Sequence, residues 1–374
     1  FLKLMLQELY VPILILVPAG IQVIYLLFIF SRFAFSSAKK SSAKVLPPVS
    51  VIVCGRNEEE NFKSNLPHLF KQDYPEYEVV AVNDQSIDNS KDVLEEFQKH
   101  HSNLRLVNVQ ENDRFWNGKK FGLTLGIKAS QYEHLLFIDA DCIPSSNEWI
   151  REMASGFIPQ GKEIVLGFGA YEKKKGFLNK LIRFETLHSA IQYFSWARWG
   201  MPYMGVGRNL AYTKSLFYAQ RGFVPHMHIP MGDDDLFING AGTSKNSTVV
   251  YTKDSFTVST PKSHFKDWFV QKRRHIAVAK NYRGSHKFIL GLYGATQVLF
   301  ALSLIAAVFL NPPMWVWYGL GGRYLAQYLI FIFSAKKTGD WDLLLLLPFL
   351  EMFLLVNQVL ILFANRFNKS YRWK

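Results

Sequence analysis

The run His134-Leu135-Leu136-Phe137-Ile138, followed at once by Asp139-Ala140-Asp141, reads as a β-strand that ends in a pair of carboxylates. A short continuous apolar run of this kind suits a strand covered on both faces. Two carboxylates one residue apart at its end can reach one divalent ion together with two phosphate oxygens. Mg²⁺ and Mn²⁺ prefer such oxygen ligands, and substrate phosphates often complete their shell. A lone Asp-x-Asp is mostly a solvated turn, so the neighbouring elements decide its meaning.

Upstream, Val49–Cys54, Glu78–Val82 and Leu104–Val109 read as further strands, while Glu58–Phe70 and Ser90–His100 read as amphipathic helices. Strands alternating with helices predict βαβ units and a mainly parallel sheet, an α/β fold. Ligands of such sheets collect at the carboxyl ends of the strands. Three strands here end in polar or acidic clusters: Gly55-Arg56-Asn57-Glu58-Glu59, Asn83-Asp84-Gln85-Ser86-Ile87-Asp88 and Asp139-Ala140-Asp141. Taken singly, Asn57 or Asp88 suits a helix cap equally well.

The 374 residues are 49% hydrophobic, with 31 Phe, and the apolar excess sits at the two ends. Tyr10–Phe30 is long enough to cross a bilayer and has no cleavage-site pattern, so it is expected to be an anchor. Arg32, Lys39, Lys40 and Lys44 follow it, which places the middle of the chain in the cytoplasm by the positive-inside rule. Three further apolar stretches run over Phe288–Leu310, Met314–Ser334 and Leu343–Ala364. Four crossings would put both termini outside and the Lys336-Lys337 loop inside. Arg366, Lys369, Arg372 and Lys374 would then break the charge rule, unless one stretch is re-entrant or interfacial. Arg323 in the middle stretch needs a partner at membrane depth, and Glu351 is a candidate. The net charge of +13 fits basic flanks on anionic lipid. No basic helix or RNA-binding signature accompanies it, so a nucleic-acid partner is not expected. Cys54 and Cys142, without metal-ligand spacing, read as reduced buried residues of a cytosolic domain.

Over Pro48–Arg283 the succession of clusters resembles glycosyltransferase family 2, the inverting enzymes that include cellulose, chitin and hyaluronan synthases. The resemblance implies a GT-A type, Rossmann-like α/β domain and a nucleotide-sugar donor, UDP first, with a divalent cation, Mn²⁺ or Mg²⁺, as cofactor. It implies that Arg56, Asn57, Glu58 and Asp84, with Asp88 nearby, hold uracil and ribose. Gly118-Lys119-Lys120-Phe121-Gly122-Leu123 matches the family's Gly-Lys-x-x-Ala-Leu element and puts Lys119 beside the donor. Asp139 and Asp141 match the metal-binding pair.

Gly232-Asp233-Asp234-Asp235-Leu236-Phe237 resembles the family's acidic motif, whose carboxylate deprotonates the acceptor hydroxyl. The Gly-Asp-Asp pattern favours Asp234, spacing to the turn at Asn246 favours Asp235, and a solvated acidic turn is the bland alternative. Gln271-Lys272-Arg273-Arg274-His275 resembles the Gln-x-x-Arg-Trp motif that closes over the donor diphosphate, which assigns Gln271, Arg273 and Arg274 to the donor. His275 replaces the aromatic acceptor platform, and Trp268 lies close by. A basic collar before the membrane is the alternative. In Gly205-Val206-Gly207-Arg208-Asn209-Leu210, which resembles an acceptor-side glycine loop, Asn209 is the expected contact. Phe177–Trp199, aromatic and amphipathic, suits either an interfacial helix or a core-facing one.

The expected organisation is therefore an N-terminal transmembrane helix over 1–33, a glycosyltransferase domain over 46–287 and a membrane region over 288–374. Such a chain would be a multi-pass protein of a bacterial inner membrane with its catalytic domain in the cytoplasm. Its reaction would be transfer of one sugar to a membrane lipid, resembling ceramide glucosyltransferases, or processive synthesis of a polysaccharide. A non-catalytic nucleotide-binding membrane protein would have no use for Asp233–Asp235 opposite a metal site.

Overall fold

Strands form where β-branched and aromatic residues run uninterrupted, and their pairing sets the site. The computed structural model describes residues 10–38, 40, 45–110 and 118–367; Lys39, Lys44, Lys369, Arg372 and Lys374 of the charge argument lie outside these. A seven-stranded sheet has the order β3-β2-β1-β4-β8-β6-β9, from β1 (Val49–Gly55), β2 (Tyr77–Asp84), β3 (Leu104–Val109), β4 (His134–Asp139), β6 (Ile164–Leu166), β8 (Leu210–Thr213) and β9 (Ser247–Val249). A second sheet of three strands orders β5 (Cys142–Pro144), β10 (Thr257–Ser259) and β7 (Gly169–Tyr171).

β1 pairs in parallel with both β2 and β4, and β2 with β3, so their carboxyl ends share one edge. Gly55 lies opposite Asn83, and Cys54 opposite Asp139, which brings the predicted clusters into register. Antiparallel β8 beside β4 then closes the far side. Both faces of the sheet are covered. Val49, Val51 and Val53 pack into one core with Leu66 and Trp149, while Ile52 and Cys54 pack into the other with Leu123 and Ile127. Helix Lys119–Ala129 lies close on that second face: a Cβ on Gly126 would meet Val82 Cγ2 at 2.8 Å. At Gly122, where the family element has Ala, a Cβ would stand 3.1 Å from Cys54 Sγ, so the sulfur takes the space of the methyl. This close seat fixes the helix start, and with it Lys119, at the strand ends.

Helix Phe177–Trp199 is core-facing, with thirteen of its residues buried. It seats the domain on the membrane-type helices: Phe184 stacks on Phe331, Trp196 meets Tyr25 edge-on, and Arg32 lies 4.4 Å over the Trp199 ring. Among the described residues, three helices are long and apolar enough to cross a membrane: Val11–Ala34, Gly284–Leu310 and Trp341–Phe367. The stretch from Met314 forms a helix to Thr338 as well, but it is not among those three. Its Arg323 is buried and paired, as expected, with Glu351 at 2.6 Å, and also with Gln22 at 2.7 Å.

Candidate active site

Lys119 stands at the centre of the strand ends. Its Nζ lies 2.7 Å from Asp139 Oδ1 and 3.2 Å from Asp233 Oδ2, so it bridges the two acidic clusters. Burial opposes its charge, but Asp139, Asp233 and Asp234 outweigh that and hold the ammonium charged. Beside it, Asp139, Asp141 and Cys142 offer ligand atoms within 4.8 Å of one another. Burial and the two aspartates push the Cys142 thiol well above its ordinary value, so it stays protonated. It contacts Asp141 Oδ1 at 3.3 Å and Ser259 Oγ at 2.9 Å. The usable donor set is therefore carboxylate oxygen, which suits an oxygen-preferring divalent cation. Burial and then Asp139 also raise the pKa of Asp141, the strain of two like charges that a cation relieves.

The acidic run is held by its neighbours. Buried Lys120 donates to the carbonyls of His226 and Ile229 at 2.8 and 2.9 Å, pinning the loop that leads into it. Asp234 caps helix Asp235–Ala241 by accepting from the Asp235 N–H, and its other oxygen accepts from Gly207 N–H, both at 2.7 Å. Burial and then Asp233 push its pKa up to about 6. Asp235 accepts from the Tyr282 hydroxyl at 2.9 Å through Oδ2, while its Oδ1 has no partner among the described residues. Burial, then Asp234, raises its pKa well above the carboxylate range.

These groups line one cavity of about 520 Å³. Arg56, Glu58, Lys119, Asp139, Asp141 and Asp233–Asp235 form its inner end. Gln271, Arg274, His275 and Trp268 reach it from helix Phe265–Val278, and the Nε of Arg274 has no partner among the described residues. Loss of water, then Lys272 and Arg274, holds the His275 imidazole far below its ordinary value, hence neutral. The outer end is walled by Leu290, Leu354 and Ile361 of the apolar helices. Asp84 lies behind the cavity, with its Cβ 3.6 Å from where a Gly122 Cβ would stand; both carboxylate oxygens are buried without a partner among the described residues. Such a group awaits a donor.

Four expected contacts are placed elsewhere. Asn57, at φ 56°, receives the Ile87 N–H on its side chain, and Asp88 receives those of Ser90 and Glu59. Both are loop and helix-start pins and neither lines the cavity. Arg273 turns to the last membrane-type helix, bonding Asn365 Oδ1 at 3.1 Å and Ala364 O at 3.2 Å. Asn209 is fully buried, accepting from Trp149 Nε1 at 3.1 Å and donating to the carbonyls of Phe168 and Ser255. Its neighbour Arg208 faces the cavity instead, 4.4 Å over the Tyr171 ring and bonded to Gly169 O at 2.6 Å. Gly207 and Arg208 form the turn that leads into β8, and that turn sends Arg208 to the cavity and Asn209 into the core. Tyr282 had no signal in the sequence. Asn209→Ala is expected to cost about 2–3 kcal/mol of stability, because two buried carbonyls and an indole N–H lose their partner. Thermal unfolding should drop while UDP affinity stays within about twofold; a selective loss of UDP binding would return Asn209 to the site.

Residues 50–224 match the family model for glycosyl transferase family 2. A poly-β-1,6-N-acetyl-D-glucosamine synthase of Staphylococcus epidermidis is 32% identical over 104 residues, 28% of this chain and 24% of the relative. Glycosyltransferase AglE of Haloferax volcanii is 29% identical over 177 residues, 47% of this chain and 53% of the relative. The matches thus span between about a quarter and a half of these relatives' lengths. Among solved structures, the mannosyltransferase PcManGT from Pyrobaculum calidifontis, in complex with GDP-Man and Mn²⁺, superposes with a TM-score of 0.57 at 19% identity, covering 89% of this chain and 99% of its own. The fold is therefore GT-A. Residues 50–224, a little under half of the chain, are of the glycosyl transferase family 2 type.

Proposed function

We propose that the chain transfers a sugar from a nucleoside diphosphate, UDP first, to a hydroxyl of a membrane-borne acceptor, with inversion at the anomeric carbon. One observation carries this reading: a single cavity joins Lys119, Asp139 and Asp235 at its inner end to Leu290, Leu354 and Ile361 at its outer end. An acceptor held in the lipid can reach the base without leaving the bilayer surface.

Asp84 supplies the unpaired buried carboxylate that a base or ribose N–H or O–H would satisfy, with the Arg56 guanidinium near enough to act on its charge, and Arg56 and Glu58 line the cavity in front of it. Asp235 takes the proton as the acceptor oxygen attacks, and the bond from the anomeric carbon to the diphosphate breaks on the opposite face. Lys119 and Arg274 meet the charge that develops on the departing diphosphate. A Mn²⁺ or Mg²⁺ ion on Asp139 and Asp141 would add Lewis-acid stabilisation of that charge. Asp234, its oxygens committed to two backbone N–H groups, is read as the anchor of the base rather than the base itself.

The pH dependence follows from the carboxylate pair. The base works deprotonated, so kcat/KM should rise with pH, with an acid limb displaced well above the ordinary carboxylate value of about 4, because burial and then Asp234 raise the pKa of Asp235. A limb below about pH 5 would remove the base from this cluster. The raised pKa of the neighbouring Asp234 has an opposite sign for stability. A carboxylate with a raised folded pKa favours the folded state at low pH, and that contribution is lost as pH climbs from about 4 to about 6.

Incubation with labelled UDP-sugars, Mn²⁺ and membrane lipid extract tests the reaction. Lipid-soluble label is expected, and no label transferred from any sugar would reject it. A processive synthase is the second reading, favoured by the name of the Staphylococcus relative, and would give label of high molecular weight.

A further inference from the structure

The last apolar helix, Leu347–Phe367, is long enough to cross a membrane when counted with Trp341–Leu346, yet both of its ends are fastened to the catalytic domain. At its start, Phe353 packs 6.2 Å from Phe265 and 5.1 Å from Phe177. Just before it, Arg183 of helix Phe177–Trp199 binds Asp340 at 2.7 Å and Asp342 at 2.5 Å. At its end, Arg273 donates to Asn365 Oδ1 at 3.1 Å, and Asn365 Nδ2 returns a bond to the Arg273 carbonyl at 3.1 Å. Phe265 and Arg273 belong to one helix, Phe265–Val278. The two helices therefore run in the same direction and meet at two places, twelve residues (about 18 Å) apart on one and eight residues (about 12 Å) apart on the other.

That companion helix carries Lys266, Asp267, Lys272, Arg273 and Arg274. Each would cost about 3 kcal/mol or more in a bilayer core about 30 Å thick, so it stays outside, and the helix beside it stays at the same level. The outer face of Leu347–Phe367 is nevertheless apolar, with Phe349, Val356, Leu360, Phe363 and Phe367 all more than half exposed. Their spacing of seven, four, three and four is one helical stripe. The inner face, with Leu354, Asn357, Gln358 and Ile361, walls the cavity.

The remaining three apolar helices pack on one another, and Leu347–Phe367 rests against them through Leu347, Leu350 and Leu354 beside Ala326, Ile330 and Phe331. Ile15 and Ala19 pack with Phe300, Ala307, Val316 and Leu320, so Val11–Ala34, Gly284–Leu310 and Met314–Thr338 belong together. Arg323 lies eight residues, about 12 Å, beyond Phe331, which stacks on Phe184 of the domain. An interfacial helix sinks about 5–10 Å into the headgroup boundary, within reach of the long Arg323 side chain, and Glu351 meets it there.

We infer that Leu347–Phe367 lies on the bilayer surface as the lipid-facing wall of the catalytic cavity, and that the crossings are the three helices of the bundle. Arg366 then lies on the side of Lys336 and Lys337, and the conflict with the positive-inside rule disappears. This conclusion does not depend on the reaction.

A membrane-impermeant maleimide on sealed, oriented membranes tests it in the full chain, since Cys54 and Cys142 are buried. Phe367→Cys is expected to react from the same side as Ile87→Cys in the domain, and Asn311→Cys from the opposite side. Labelling of Phe367→Cys together with Asn311→Cys would overturn the inference. Spin labels on Val356→Cys, Leu360→Cys and Phe363→Cys give an independent readout through lipid-soluble and water-soluble quenchers. One shared shallow depth is expected; a steady descent along the three positions would also overturn it.

Discussion

Replacing Asp235 with Asn is expected to lower kcat by about a thousandfold, the middle of the range for a positioned general base, while UDP affinity changes by less than about threefold. The introduced amide keeps the shape of the side chain and an oxygen for the Tyr282 hydroxyl, so the fold should survive. What it loses is the one fully buried oxygen of the Asp233–Asp235 run with no protein partner among the described residues. Asp234→Asn should behave otherwise. Its carboxylate holds Gly207 and starts helix Asp235–Ala241, so that variant should lose stability and only then activity. Initial rates with the labelled donor, beside equilibrium UDP binding and thermal unfolding, separate the two. If Asp235→Asn retains more than a tenth of wild-type kcat, the base lies elsewhere. Tyr282→Phe offers a finer check, because the hydroxyl hydrogen bond to Asp235 Oδ2 lowers the pKa of the base. Its removal should move the acid limb of kcat/KM upward and leave the donor KM in place.

Much of this site is legible in the sequence because parallel strands leave a local signature. A run such as Val79-Val80-Ala81-Val82 followed by Asn83-Asp84 states both where the strand ends and that its end is polar. Helix Ser90–His100 has the bounds its pattern predicts, since Asp88, which receives the Ser90 N–H, and its amphipathic face are both local. Asn209 and Arg273 were misplaced for a different reason. A motif says that a segment passes the site, but which of two adjacent residues faces it depends on distant partners, Trp149 for one and Asn365 for the other. Hydropathy shows the same limit in the membrane region. It favours Leu347–Phe367 over Met314–Thr338 as a span, because Arg323 lowers the second one's score. The neutralising carboxylate of Glu351 and the accepting amide oxygen of Gln22 lie on other helices, and no window along one helix can see them.

Asp139 and Asp141 carry the second large prediction. In the free protein Asp139 is already paired with Lys119 at 2.7 Å, whereas Asp141 is open to the cavity with a raised pKa. A divalent cation and Lys119 therefore compete for one carboxylate, and a diphosphate resolves the competition, because it gives the ammonium an oxygen of its own. Metal and nucleotide should bind with positive coupling as a result: Mn²⁺ should tighten UDP, and UDP should tighten Mn²⁺ by the same factor. Asp139→Ala and Asp141→Ala should each abolish that coupling and lower kcat by about a thousandfold, roughly 4 kcal/mol of transition-state stabilisation. Lys119→Met separates the two halves of this picture. It releases Asp139, so Mn²⁺ alone should bind more tightly than to wild type, while UDP binds less tightly for want of its cation. Calorimetric titration of UDP with and without Mn²⁺, and of Mn²⁺ alone, reads three affinities, and closing the cycle gives the fourth, of Mn²⁺ for the UDP complex. Tighter Mn²⁺ binding in Lys119→Met together with a lost coupling in Asp141→Ala would place the ion between the two aspartates. Mn²⁺ binding unchanged by either aspartate substitution would move it away from them.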